Sequence, residues 1–226
     1  MKRRDFSAQL GLSALGLSTL GLSTLGLPGI AAAQGGPMEG KQYLKLSQAL
    51  PTTPGKIDVV EFFWYGCPHC FAFDPTLEAW VKQLPADVSF RRVHVGFRAN
   101  IKSHQKLFYA LEAMGKQAEV HSAVFAAFQR DMPESDKDVI ALVGRLGLDV
   151  AKFTAAYNSF GVQTKCAQAS KLSEDFRIDG VPALGIAGRY LTSPSIAGTR
   201  GAGEQVNGQQ AVAVADFLIK LARNKA

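Results

Sequence analysis

Among 226 residues there are only three cysteines and four histidines, and the chain has no second CxxC and no HxxxH. That scarcity limits what Cys67-Pro68-His69-Cys70 can be. Half of a zinc site needs two more ligands, and outside the motif the chain offers Cys166, His94, His104 and His121, none of them in a second ligand pair. A c-type haem site needs histidine directly after the second cysteine, where this chain has Phe71. Clustered basic charge is missing too. The 25 lysines and arginines outnumber 19 acids but are scattered, so nucleic acid has no electrostatic footprint and the charge reports solubility. Nor is there a good membrane-spanning run: the apolar stretch near the N-terminus is glycine-rich and contains Pro28.

What is present is a CxxC placed directly after the apolar run Val59-Val60-Glu61-Phe62-Phe63-Trp64-Tyr65-Gly66. Two thiols therefore sit where a strand hands over to a helix. The unpaired N–H groups and positive dipole end of a helix start favour thiolate over thiol, which is the condition for redox chemistry. A purely structural disulfide stays open as an alternative, although a bridge across two residues is tight and tight bridges tend to be labile.

The N-terminus begins Met1-Lys2-Arg3-Arg4-Asp5-Phe6, continues through a weakly apolar Gly/Ser/Leu segment and reaches Ala31-Ala32-Ala33-Gln34. This is the pattern of a signal peptide over residues 1–33, cleaved after Ala33, with a membrane anchor as the poorer reading. Arg3-Arg4 followed by Phe6 resembles a twin-arginine export signature, though adjacent arginines also occur in ordinary secretory signals. Either route leads out of the cytoplasm, where disulfides persist and a CxxC can act as an oxidant. Three cysteines then mean one pair and one left over.

Along the mature chain, 57–65 reads as a buried strand and 68–84 as a helix with Pro68 in its first turn and a kink at Pro75. Residues 88–97 alternate as a second strand. From 101 to 160 the period is helical, including a capping-box pattern at Ser135 and Asp138. A helix at 162–176 carries Val162, Cys166, Ala169, Leu172 and Phe176 on one stripe, so Cys166 reads as an inert buried thiol in preference to a regulatory or dimer-forming one. Gly188-Arg189 reads as a hairpin turn, 199–208 as a surface loop, and 210–222 as a last helix. The order is that of an α/β domain interrupted by helices.

These features together resemble the DsbA family of thiol:disulfide interchange proteins. The resemblance rests on Glu-Phe-Phe-Trp-Tyr-Gly-Cys-Pro-His-Cys, on Gly180-Val181-Pro182-Ala183-Leu184, and on the helical block between them. It implies an α/β thioredoxin fold with an inserted all-helical domain: residues 34–98 and 162–226 would form the thioredoxin part and 99–161 the insertion. It also implies an exposed nucleophile at Cys67, a more buried partner at Cys70, and a cis Val181-Pro182 bond whose backbone pairs an extended client. Pro68 and His69 complete the expected reactive motif, with the helix terminus and His69 stabilising the thiolate. The redox disulfide itself is the only cofactor expected, and no metal.

Glu61 looks like the family's buried acid and Arg92 falls where the family commonly has lysine. A carboxylate inside an apolar strand must be paired or protonated, and an arginine that stays charged would hold Glu61 ionised. A proton-handling role and a purely structural ion pair are equal readings of the two residues. His94 shares a face with Arg92 and reads as a satisfied core or edge histidine. Phe71, Trp64 and Tyr65 form an apolar rim or belong to the core.

The activity implied is that of a monomeric periplasmic oxidase that gives its disulfide to secreted proteins bearing free thiols. A membrane quinone reductase of the DsbB type would reoxidise it. The alternatives are a reductase or isomerase on the same fold, and a non-enzymatic chaperone or metal-binding thioredoxin-like module.

Overall fold

The computed structural model describes residues 35–224, so the predicted leader over 1–33 lies outside the described residues. A short strand β1 (Leu44–Lys45) precedes the central strand β2 (Ile57–Phe63), the active-site helix α1 (Pro68–Val81) and β3 (Val88–His94). Four helices follow: α2 (Lys102–Ala113), α3 (Gln117–Arg130), α4 (Asp136–Arg145) and α5 (Val150–Tyr157). The chain returns through α6 (Phe160–Asp175) to β4 (Ala183–Ile186) and β5 (Tyr190–Thr192), then ends in α7 (Pro194–Ala197) and α8 (Glu204–Arg223).

The sheet runs β1-β5-β4-β2-β3, parallel between β2 and β3 and antiparallel elsewhere. From Val59 to Phe63 every residue of β2 is buried, because helices cover both faces. Such a strand reads as a continuous apolar run and not as an alternation. On one face Val59 packs with Phe73, Leu77, Leu184 and Leu218, which ties α1 and α8 to the sheet. On the other, Val60, Phe62 and Phe63 join Phe108, Leu111, Val124 and Phe125 of the helical block. Truncating a fully buried aromatic such as Phe62 costs ~3–5 kcal/mol. This is the thioredoxin fold with a helical insertion.

Local chemistry sets the element boundaries. Ser135 and Asp138 make the full reciprocal capping box at α4, and Asp149 caps α5 through the Lys152 amide. α1 continues through Pro75 to Val81, three residues short of the predicted end. β3 stops at His94 rather than residue 97. The hairpin turn is centred one residue earlier than expected, on Ala187 and Gly188, both with positive φ, and Arg189 N–H closes it on the Ile186 carbonyl at 3.0 Å.

The largest departure is α8, which begins at Glu204 inside the stretch predicted as a surface loop. Gly208 lies in that helix because α1 passes close by: a Cβ there would meet the Phe73 ring at 3.0 Å. The glycine is a packing contact and not a loop signal.

Candidate active site

Cys67 is the N-cap of α1, with extended backbone and Pro68 as the first helical residue. Its sulfur takes the place of a capping hydroxyl, accepting the Cys70 amide at 3.4 Å. Cys67 is 7 % exposed and Cys70 fully buried, so the expected nucleophile is more enclosed than an exposed one, with Cys70 the deeper of the pair. The Cys67 thiol is pulled down to about 6, first by the hydrogen bond from the Cys70 thiol, then by the Cys70 and His69 backbone amides and the nearby His69 ring, against opposing burial. Burial pushes Cys70 well above the ordinary thiol range, and the negative Cys67 sulfur adds to this. The pair is therefore a thiolate held by a neutral thiol. Sequence reasoning credited the helix start and His69; the structure ranks the Cys70 thiol above both.

The cis Val181–Pro182 bond lies against this pair, with Cys67 Sγ 3.4 Å from the Val181 carbonyl oxygen. Pro182 is buried and Val181 half-buried. A groove of about 310 Å³ opens beside them, lined by His69, Phe73, Val181, Pro182, Pro194 and Glu204. His69 is exposed and its Nδ1 contacts Glu204 Oε1 from the first turn of α8. Glu204 was missed because its surroundings read as loop. An acid directly after Gly203 was the available signal of a helix start.

Glu61 and Arg92 face each other across the β2–β3 register, Arg92 Nε 2.8 Å from Glu61 Oε2. The N–H is poorly aligned on the carboxylate, which leaves both Glu61 oxygens without a well-formed hydrogen bond. Burial outweighs the arginine and raises Glu61 to about 7, so the carboxyl is poised between its charged and neutral forms near neutral pH. Arg92 is shared with Asp74 and Glu78 of α1 at 3.3 and 2.6 Å. Asp74, placed on the apolar stripe of α1 between Phe73 and Leu77, was not singled out from the sequence.

The other sequence candidates separate. His94 is fully buried and satisfied, its Nδ1 2.9 Å from the Val95 carbonyl and its Nε2 near the Tyr65 amide. Tyr65 is fully buried rather than part of a rim. Trp64 is half-buried and donates from Nε1 to His104 Nδ1 at 3.0 Å, and Phe71 is 42 % exposed beside the motif. Among the described residues no group of three His, Cys, Asp or Glu is arranged to hold a metal ion, and no helix is long and apolar enough to cross a membrane.

A capping thiolate, a buried thiol behind it and a cis-proline loop against both define a thioredoxin-fold thiol:disulfide oxidoreductase. The family model described as a DSBA-like thioredoxin domain matches residues 58–210, and the chain belongs to the DsbA family. It is 41% identical over 205 residues to the thiol:disulfide interchange protein DsbA of Burkholderia cepacia, covering 86% of this chain and 90% of that relative. The crystal structure of Pseudomonas aeruginosa DsbA superposes with a TM-score of 0.75 at 36% identity, covering 82% of this chain and 94% of that one. A Proteus DsbA with a non-covalently bound peptide, PWATCDS, matches with a TM-score of 0.70 at 27% identity, covering 82% of this chain and 100% of that one.

Proposed function

We propose that this oxidoreductase donates a disulfide, carried between Cys67 and Cys70, to exported proteins as they fold in the periplasm, after its own export by the 1–33 leader. A client thiolate attacks Cys67 Sγ. The Cys67–Cys70 bond breaks, its electron pair leaves on Cys70, and Cys70 takes up a proton. A second client thiolate then attacks the client sulfur of the mixed disulfide and expels Cys67. The client leaves with a disulfide, and the protein holds the two electrons as a dithiol.

The observation that carries this reading is the Cys67 thiolate, lowered to about 6 by the thiol and amides that converge on it. A stabilised thiolate is a good leaving group and favours the reduced form, so each unit of depression raises the potential by ~30 mV. Pro68 fixes the helix start that presents the amides. His69 adds charge. Val181 and Pro182 form one wall of the groove, where the client backbone docks as an extended strand. That a Proteus relative holds the peptide PWATCDS non-covalently supports a peptide as the ligand. Glu61, with Arg92 beside it, supplies and removes the proton of the buried Cys70 thiol.

The protein acts as a monomer, with no cofactor beyond its disulfide, and a membrane quinone reductase of the DsbB type takes the two electrons as the Cys70 proton is released. Equilibration with glutathione tests the direction of transfer. The expected result is a strongly oxidising couple, together with a higher unfolding midpoint for the reduced protein, since whatever stabilises the folded dithiol raises the potential. A thioredoxin-like potential with the oxidised form more stable would make the protein a reductase. Absence of any dithiol exchange would leave a chaperone or metal-binding module.

A further inference from the structure

Three carboxylates and one guanidinium meet beneath α1. Arg92 contacts Glu61, Asp74 and Glu78, but only Glu78 keeps substantial access to water, its side chain being 37% exposed. One cation cannot compensate three anions in such a place, so the cluster holds a proton or recruits another donor. The further donor comes from the helical insertion. His121 of α3 is 3% exposed, and its Nε2 lies 3.2 Å from Asp74 Oδ1. Its Nδ1 lies 2.9 Å from the Tyr65 hydroxyl and 2.8 Å from Gln117 Nε2. An amide nitrogen only donates, so Nδ1 is the acceptor and Nε2 carries the proton aimed at Asp74.

We propose that His121 is a positioning residue for disulfide exchange: by donating to Asp74 it supplies that carboxylate with a hydrogen bond and leaves Glu61, near Cys70, as the member of the cluster that takes the proton. This rests on the oxidase reading, in which Cys70 gains and loses a proton each cycle. Glu61 has only the poorly aligned Arg92 at 2.8 Å, since neither of its oxygens has a well-formed hydrogen bond among the described residues. The two acids are coupled, because the charge on Asp74 raises the proton affinity of Glu61. Glu61 is in turn close enough to Cys70 for its charge to oppose the Cys70 thiolate. Of the other groups near His121, Glu78 is served by Arg92 and water, and burial holds His94 down to about 3, so it is neutral and adds no charge.

Without the His121 donor, Asp74 keeps only Arg92 among these partners, and Glu61 is no longer the one buried carboxylate short of a donor. Glu61 then becomes more acidic. The test follows the Glu61 carboxyl carbon by NMR against pH in the reduced, full-length mature protein, the signal being assigned by its loss in Glu61→Gln. His121→Phe keeps a ring against Phe63 and Phe125 but removes the donor. Its Glu61 midpoint is expected to fall by about one unit, a tenfold loss of proton affinity. His121→Gln retains an N–H donor and is expected to restore the midpoint.

The pH profile of the glutathione equilibrium is expected to bend at the Glu61 midpoint, and the bend to move with it in His121→Phe. An unmoved Glu61 midpoint, an equal shift in the Gln variant, or a shifted midpoint with an unmoved redox profile would each overturn the proposal. If His121→Phe does not fold, the tautomer decides it in the wild-type protein: two-bond proton–nitrogen correlations are expected to show Nε2–H, and Nδ1–H would overturn the assignment. A weakly oxidising wild-type couple would sink the oxidase reading instead, while the Glu61 titration still reports on His121.

Discussion

His69 Nδ1 contacts Glu204 Oε1 across one end of the groove beside Cys67, joining the reactive motif to the first turn of α8. The ring beside the Cys67 thiolate is therefore shared with a carboxylate from a distant part of the chain. Both side chains are more than half exposed, so water and salt screen the pair.

Opposite changes at these positions are expected to move the Cys67 thiolate in opposite directions. His69→Ser removes a favourable neighbour of the thiolate and raises the Cys67 pKa, whereas Glu204→Gln removes a negative charge from the groove beside Cys67 and lowers it. Each shift is expected to be about half a unit or less, given the exposure. Thiolate ultraviolet absorbance against pH reads both, and shifts of the same sign would show that Glu204 acts by holding the proton on His69 and not by its own charge.

Replacing Cys70 is expected to have a larger effect than replacing His69, because the Cys70 thiol is the principal stabiliser of the Cys67 thiolate. In Cys70→Ala the Cys67 titration moves up from about 6 toward the ordinary thiol range. The same variant accumulates mixed disulfides with clients on Cys67, since no second thiol is left to resolve them, while Cys67→Ala transfers nothing. Non-reducing gels separate the two, and equal trapping by both would reverse the assignment of attacked and buried sulfurs.

Cys166 is expected to resist alkylation in the native oxidised protein and to react on unfolding. Its thiol is half-buried, and burial pushes it up to about 11, so near neutral pH almost none of it is thiolate. Protonation protects it as much as enclosure does. Rapid native labelling by a bulky reagent, or a covalent dimer, would contradict this.

Much of the site was readable because its chemistry is local in sequence. Cys67, Pro68 and Cys70 lie within one helix start, and the apolar run before them can only be a strand covered on both faces. The capping box at Ser135 was legible for the same reason. Contacts that depend on how separate segments meet were not. Glu204 reaches His69 only because α8 starts early, and Gly208 allows that by letting α1 pass close. His121 reads as an ordinary residue of an amphipathic helix until the insertion is folded over α1 and Asp74 is found beneath it. For Glu61 the pairing with Arg92 was legible, but the balance was not, because two further acids from α1 share that arginine and burial opposes it.

That balance makes Glu61 a source of pH-dependent instability. Its folded-state pKa is raised from 4.5 to about 7, so the folded protein binds its proton more tightly than the unfolded chain does. Linkage then gives stability that is fully present below about pH 4.5 and lost as the pH rises through about 7. Above that point the folded state carries a buried carboxylate that the poorly aligned Arg92 does not compensate. Glu61→Gln keeps the shape and cannot ionise. It is expected to stabilise the reduced protein at pH 8, by on the order of a few kcal/mol at most, and to change little at pH 5. Denaturant unfolding of both proteins at the two pH values checks it, and a variant less stable than wild type at pH 8 would mean that the Arg92 pairing outweighs burial after all.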